Sequence, residues 1–318
     1  MTRLFREASI DDLMHESLSA VLADGVLINP SKGAAHDLLA VTLELSNPLA
    51  RLSRSATRGR IFSAIGELLW YLAGSSEVAF IEYYLSHYAD SGEGGLVWGG
   101  YGPRLSNFDG VNQLEFVISK LRSNPSSRQA VIQLYDHEDA IGDHKDIPCT
   151  CVLQYFVREG NLCAVVYMRS NDAYFGLPHD IFAFTFIQEL IARSLDVPLG
   201  AYVHVAGSFH VYETKVPSVR RFVDEGWQSN APMPSMPLGN PWPAVRRLLE
   251  VERAIRQDAV DPMAVAFDDE PYWGDLARLL ALYSLIRRRR SDDARVLKTA
   301  MHTRVFDVLV DDRLEGLD

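Results

Sequence analysis

The stretch Asp146–Asp180, DIPCTCVLQYFVREGNLCAVVYMRSNDAYFGLPHD, constrains the fold of this chain more than any other. Two segments of alternating polarity, VLQYFV and LCAVVYM, flank the turn REGN (Arg158–Asn161). Period-two alternation around such a turn predicts a β-hairpin. The second segment then breaks into RSNDAYFGLPHD, a polar loop punctuated by Gly and Pro, before the apolar run IFAFTFIQELIARSL. Antiparallel pairing brings distant chain segments together. It is therefore expected to set the Cys149 thiol, at one strand end, beside the cluster Arg169-Ser170-Asn171-Asp172, where the returning strand ends. Each piece alone has an ordinary explanation. A lone cysteine is more often a buried small residue than a nucleophile, and Arg169 with Asp172 can close a loop as an ion pair.

At 318 residues, with 47% apolar and 23% charged residues, the chain is long enough for one large domain with additions. A net charge of -11 argues against broad nucleic-acid binding, though a local basic patch can still hold a phosphate. Three cysteines without framework spacing fit free thiols in a reducing compartment. No apolar run is long enough to span a bilayer, and MTRLFREASIDD lacks a signal-peptide core. The expected location is cytoplasmic. Cys149 and Cys151 would share a strand face in extended geometry. As a metal pair they lack a partner pair of suitable spacing, so no metal is expected.

In chain order, Ser9 ahead of Ile10, Leu13, Met14, Leu18 and Val21 reads as a capped amphipathic helix ending at Gly25. NPSKGAAHD (Asn29–Asp37) reads as a polar loop and LLAVTLELS (Leu38–Ser46) as a strand. Arg60–Leu72 has an apolar face of helical period with Glu67 set into it. That carboxylate reads equally as a rim residue paired with a nearby arginine. The Pro-rich segment Asn230–Pro243 looks like a linker. Three helical stretches follow: Val245–Ile255, Asp275–Arg290 and Ala294–Val310. The run Arg287–Arg290 reads as a basic helix end favoured by the helix dipole.

PCT (Pro148–Thr150), RSNDAYFGLPHD (Arg169–Asp180), AGSFHVYE (Ala206–Glu213) and IGELLWYLAG (Ile65–Gly74) together resemble the thymidylate synthase family, and more closely its pyrimidine hydroxymethylases. The resemblance covers roughly residues 10 to 215. It implies an α/β (α+β) fold with a large mixed or antiparallel sheet flanked by helices. Residues 1–229 would form the catalytic domain, and residues 230–318 the linker and a helical C-terminal extension.

The resemblance also implies roles for individual residues. Cys149 matches the nucleophile that adds to the pyrimidine. Glu67 matches the glutamate that organises water and proton transfer; partial withdrawal from water would raise its pKa. Arg169 would hold phosphate and lower the thiol pKa, with Ser170 and Gln154 adding neutral hydrogen bonds. Arg128 matches an arginine that reaches across a homodimer to the partner's phosphate site, and Gln129 stands where a second is usual. Asp172 and Gly176 match positions around the base and the folate pterin. Trp98 lies in GLVWGGYGPRL, a segment resembling the one over folate and substrate. His210 and Tyr212 match the pair at the sugar hydroxyls, while His204 has no counterpart and reads as structural. Ser31 and Lys32 are the local candidates for a further phosphate cation.

Asp180 stands where thymidylate synthases have asparagine. An amide there complements uracil, whereas a carboxyl can accept from the amino group of cytosine and share a proton with its ring nitrogen. On the residues alone, Asp180 reads as readily as a helix cap. The resemblance thus implies a cytidylate 5-hydroxymethylase using 5,10-methylenetetrahydrofolate on CMP or dCMP, with no nucleic-acid or membrane partner. A bias of arginine over lysine favours a bacterial nucleoside natural-product route and hence CMP. The C-terminal RLEGLD does not resemble the segment with which synthases close over the site, in keeping with an enzyme that admits water. The alternatives are a divergent synthase acting on dUMP and an inactive nucleotide- or RNA-binding homologue.

Overall fold

The computed structural model describes residues 3–265 and 270–316. Its centre is a mixed seven-stranded sheet: β1 (Arg3–Glu7), β2 (Val26–Ile28), β3 (Ala35–Leu45), β4 (Val131–Gln133), β5 (Thr150–Arg158), β6 (Asn161–Asp172) and β7 (Leu199–Tyr212). The order across it is β1-β3-β7-β6-β5-β4, with β2 paired to β3. β1 with β3 and β6 with β7 are parallel; the other pairs are antiparallel.

The hairpin is as expected. β5 and β6 pair antiparallel from Arg158↔Asn161 outwards. Glu159 (φ 51°) and Gly160 (φ 77°) supply the two left-handed residues that a tight turn matching strand twist requires. β3 starts at Ala35, inside the segment that reads as loop, because Ala35, His36 and Asp37 pair with both β2 and β7. Pairing with two neighbours overrides the poor strand propensity of Ala and Asp.

The helices before β5 are α1 (Ile10–Asp24), α2 (Ile61–Leu72), α3 (Val78–Ile81), α4 (Tyr101–Ser106), α5 (Gln113–Ser123) and α6 (Glu138–Ile141). After it come α7 (Gly176–Leu195), α8 (Val216–Asp224), α9 (Trp242–Arg256), α10 (Pro271–Arg287), α11 (Ser291–Thr299) and α12 (Asp307–Glu315). The Ser9 hydroxyl caps α1 by accepting from Asp12 N–H at 3.2 Å. α1 then ends at Gly25, where a Cβ would stand 2.5 Å from the Val21 carbonyl and 2.9 Å from His36 Cβ. α1, α5 and α7 pack on the sheet. They cover one face of it, where Val41, Leu43, Tyr202, Ala206, Val166 and Leu153 are fully buried. By strand alternation Leu4, Thr42, Val203, Val205, Val165, Tyr167, Val152 and Phe156 point to the opposite face, and Leu4 and Tyr167 there are exposed.

The C-terminal helices share the core with the rest of the chain. Tyr283 stacks on Phe62 of α2, Trp273 meets Phe186 of α7, and Glu252 accepts from the Tyr84 hydroxyl. The Pro-rich segment is a packed strap: Met233 and Met236 are buried, Met233 N–H donates to the Leu49 carbonyl, and Met236 N–H donates to Glu189. The stretch Ala294–Val310, which reads as one helix, is broken between α11 and α12. Buried Asp275 accepts the backbone N–H groups of His302 and Thr303 at 2.8–3.1 Å, and this turn outcompetes helix continuation. Arg287 and Arg288 end α10 as expected and are engaged, Arg287 over the Tyr83 ring and Arg288 with Asp258.

One buried ion pair ties the strap to the core. Arg51 Nη2 meets Glu189 Oε2 at 2.5 Å, both side chains fully buried, while Glu189 Oε1 takes the Met236 N–H at 2.7 Å. Removing one member strands the other charge in the core. Glu189→Ala is therefore expected to lower unfolding stability by about 3–5 kcal/mol in urea titrations. It should also speed proteolysis within residues 230–243; unchanged stability would refute this role.

Candidate active site

β5, β6, α2 and the start of α7 converge on a cavity of about 460 Å³, within the range of small-molecule sites. Cys149, Glu67, Ser170, Asp172, Gly176 and Asp180 all line it. Residues far apart in sequence thus meet as expected.

Strand pairing places the thiol. Arg169 N–H donates to the Cys149 carbonyl at 2.9 Å, and Arg169 Nε donates to the Pro148 carbonyl at 2.9 Å. The chain bulges between Thr150 and Val152, leaving Cys151 as the extra residue. Its carbonyl accepts from both Leu134 and Tyr135 N–H groups. The extended geometry that would set both cysteines on one face is interrupted, and Cys149 lines the cavity while Cys151 does not. Among the described residues no three His, Cys, Asp or Glu side chains form a group able to hold a metal ion.

Burial pushes the Cys149 thiol up to about 11. The Arg169 guanidinium, its Nη2 at 3.9 Å from Sγ, acts downwards, as does Lys32, while Asp180 and Asp146 act upwards. Arg169 therefore has the expected sign, but desolvation outweighs it. Lys32 lines the cavity, so the weakly matching N-terminal loop does bring a cation to it.

Three carboxyl groups in the wall are held above their ordinary pKa, chiefly by burial: Glu67, Asp180 and Asp146. Glu67 Oε1 accepts from the Tyr88 hydroxyl at 2.7 Å, and hydrogen bonds from Tyr88 and Tyr71 partly offset the desolvation. It is not paired with an arginine. Asp180 lies inside α7 and caps nothing. Its upward shift is reinforced by Glu67 and Asp172, and Asn171 Nδ2 donates to its Oδ2 at 2.8 Å. Asp172 instead fastens the turn ahead of α7, its Oδ1 accepting from Tyr174 and Phe175 N–H at 2.9 and 2.8 Å. Arg58 fastens this turn from the other side, donating to the Tyr174 and Phe175 carbonyls at 2.6 and 2.8 Å.

Other expected site residues lie at or beyond the margin. His210 pairs across strands with Asp172 and stacks edge-on with Tyr212, centroids 5.0 Å apart. Burial lowers the His210 pKa. Arg169 is exposed, beyond the cavity lining. Gln154 and Arg128 are elsewhere: Gln154 Nε2 donates to the Arg128 carbonyl at 2.8 Å, and the Arg128 side chain is exposed. Trp98 lies outside the lining, donating to Asp139 and stacked on His144 at 3.7 Å. The aromatic of that segment that does line the cavity is Tyr101, whose hydroxyl accepts from Thr150 N–H at 3.1 Å. His204 is fully buried, contacts the Tyr202 hydroxyl, and is pushed down to about 3.

Reasoning from the sequence missed Tyr88, Tyr101, Asp146 and Arg58. Tyr101 stands in the segment already singled out, and Asp146 directly precedes the Cys149 turn. Nothing local marks Tyr88 as a partner of Glu67. The C-terminal helix also reaches this site, since Arg313 of α12 lines the cavity; Leu317 and Asp318 of RLEGLD lie outside the described residues.

Residues 43–248 match the family model for thymidylate synthase. The chain belongs to the thymidylate synthase family. A deoxyuridylate hydroxymethyltransferase of Bacillus phage SP01 is 32% identical over 215 residues, 63% of this chain. The match spans 56% of that relative's length. Family membership accounts for the sheet architecture.

Alkylation of Cys149 by iodoacetamide, followed by peptide mapping, should accelerate about tenfold per pH unit until near pH 11, as expected for a buried thiol. Arg169→Ala should slow it at any lower pH, because a charge that favours the thiolate is gone. A plateau already reached by pH 8 would contradict this environment.

Proposed function

We propose that the chain is a folate-dependent cytidylate 5-hydroxymethylase acting on cytidine 5′-monophosphate or its deoxy form, with 5,10-methylenetetrahydrofolate as co-substrate. The observation that carries this reading is Asp180, a carboxyl group in the same cavity wall as Cys149 and Glu67 and held toward its protonated form. A protonated carboxyl presents one donor and one acceptor, which suits the ring nitrogen and amino group of cytosine.

In this reading Cys149 adds to carbon 6 of the base and makes carbon 5 nucleophilic. A thiol near 11 is ionised in roughly one molecule in ten thousand at pH 7. Its deprotonation must therefore be coupled to substrate engagement, with Arg169 and Lys32 supplying the compensating charge. The folate supplies the one-carbon unit. Glu67, hydrogen-bonded to Tyr88, is the group suited to orient water toward the resulting exocyclic carbon and to manage its proton. Asp172 anchors the turn that presents Gly176 and Asp180.

The sheet face that α1, α5 and α7 leave uncovered supports a homodimer. It carries Val152, Val165, Val203, Val205, Phe156 and Tyr167, with exposed Arg128 beside Gln154 at its β4 edge. Burying such an apolar face against a second copy would bring Arg128 toward the partner's site. The second reading is hydroxymethylation of a uracil nucleotide, which the phage relative's name favours.

Mass spectrometry of products from CMP, dCMP and dUMP, each incubated with methylenetetrahydrofolate, tests the reaction. The expected result is a gain of CH₂O on a cytosine nucleotide. A gain of CH₂ on dUMP would make the protein a synthase, and no product would favour a binding role. Asp180→Asn should turn the preference toward uracil by about tenfold or more, because a mispaired buried edge costs about 1–3 kcal/mol. Arg128→Ala and Cys149→Ala subunits, each inactive alone, should regain activity on mixing if Arg128 acts across the dimer. Activity of Arg128→Ala alone would refute that placement.

A further inference from the structure

Asn171 is almost fully buried, lines the cavity, and is paired through one end of its amide only. Its Nδ2 donates to Asp180 Oδ2 at 2.8 Å, while its Oδ1 is buried without a hydrogen-bond partner. A buried acceptor left unpaired is rare in native proteins and calls for a donor. The Asp180 bond also fixes the hand of the amide. With Nδ2 committed to the carboxyl, the remaining atom can accept and cannot donate. Gly176 borders the pair with bare backbone, and a Cβ there would lie 3.4 Å from both Asn171 Nδ2 and Asp180 Oδ2.

This matters because a protonated carboxyl by itself does not discriminate between the two bases. With the proton on one oxygen it matches the ring nitrogen and amino group of cytosine. With the proton on the other, it matches the carbonyl and ring N–H of uracil. Something beside Asp180 must break that symmetry. Resting on the cytosine reading above, we propose that Asn171 is a specificity-determining residue whose side-chain carbonyl accepts one hydrogen of the exocyclic amino group while Asp180 accepts the other. The two amino hydrogens then satisfy Asn171 Oδ1 and Asp180 Oδ2, and the second carboxyl oxygen donates to the ring nitrogen. A uracil carbonyl in the same place would face the Asn171 acceptor for as long as the amide keeps its bond to Asp180.

The test is the affinity, by calorimetry, of CMP, UMP and N4-methyl-CMP for the intact protein and for Asn171→Leu and Asn171→Ala. The wild type should bind CMP at least tenfold more tightly than UMP or the N4-methyl derivative, whose amino group has one hydrogen fewer. In the variants both ratios should collapse toward unity. Variants that weaken CMP and UMP equally, leaving the ratio intact, would show Asn171 to be merely structural and overturn the inference while the cytosine reading stands. A wild type that prefers UMP would overturn the cytosine reading itself. Should both variants fail to fold, equal wild-type affinity for CMP and its N4-methyl derivative would still refute the inference, and a tenfold loss would support it.

Discussion

The structure depends on the pairing of β5 with β6, and on how that pairing ends. From the turn at Glu159–Gly160 the two strands run in register to a bulge at Cys151, where Arg169 N–H holds the Cys149 carbonyl and the Arg169 guanidinium holds Pro148. Those bonds fix the thiol against the wall formed by Ser170, Asn171 and Asp172. β7, parallel to β6, then sets His210 opposite Asp172. A one-residue slip would turn every side chain on the strand to the opposite face. The alternation of buried Leu153 and Tyr155 with half-exposed Val152, Gln154 and Phe156 makes such a slip costly.

The cavity built on this hairpin is dominated by desolvation. The Cys149 thiol and the carboxyls of Glu67, Asp146 and Asp180 are all displaced toward their neutral forms. Carboxyls shifted in this direction take up a proton more readily, and once protonated they can donate as well as accept. The cations Lys32, Arg58, Arg60 and Arg313 line the same cavity.

The parts of the site legible in the sequence are those that one continuous segment delivers. Cys149, Ser170 and Asp172 belong to one hairpin, so alternation suffices to gather them, whereas Gly176 and Asp180, at the start of α7, were legible only through the family motif. Glu67 was legible as a carboxylate set into an apolar helix face. Tyr88, Tyr101 and Arg58 were not, because their relevance lies in where a hydroxyl or guanidinium lands after packing. Trp98 shows the converse: a conspicuous aromatic in the right segment, spent on Asp139 and His144 outside the cavity. The broken C-terminal helix has a similar origin, since the backbone donors of His302 and Thr303 are taken by an aspartate 27 and 28 residues away.

By itself the sequence determined the hairpin, the capped first helix, the apolar helices and the family motifs, because these rest on periodicity and on short-range turn chemistry. Only the tertiary structure decided the direction of each pKa, the rank of Arg169 against burial at the thiol, and the presence of Lys32 and Arg313 at the cavity. It alone decided that Asn171 stands over Asp180 with one acceptor free. Such properties depend on distance and water exclusion between segments far apart in the chain, and no local pattern of residues encodes those.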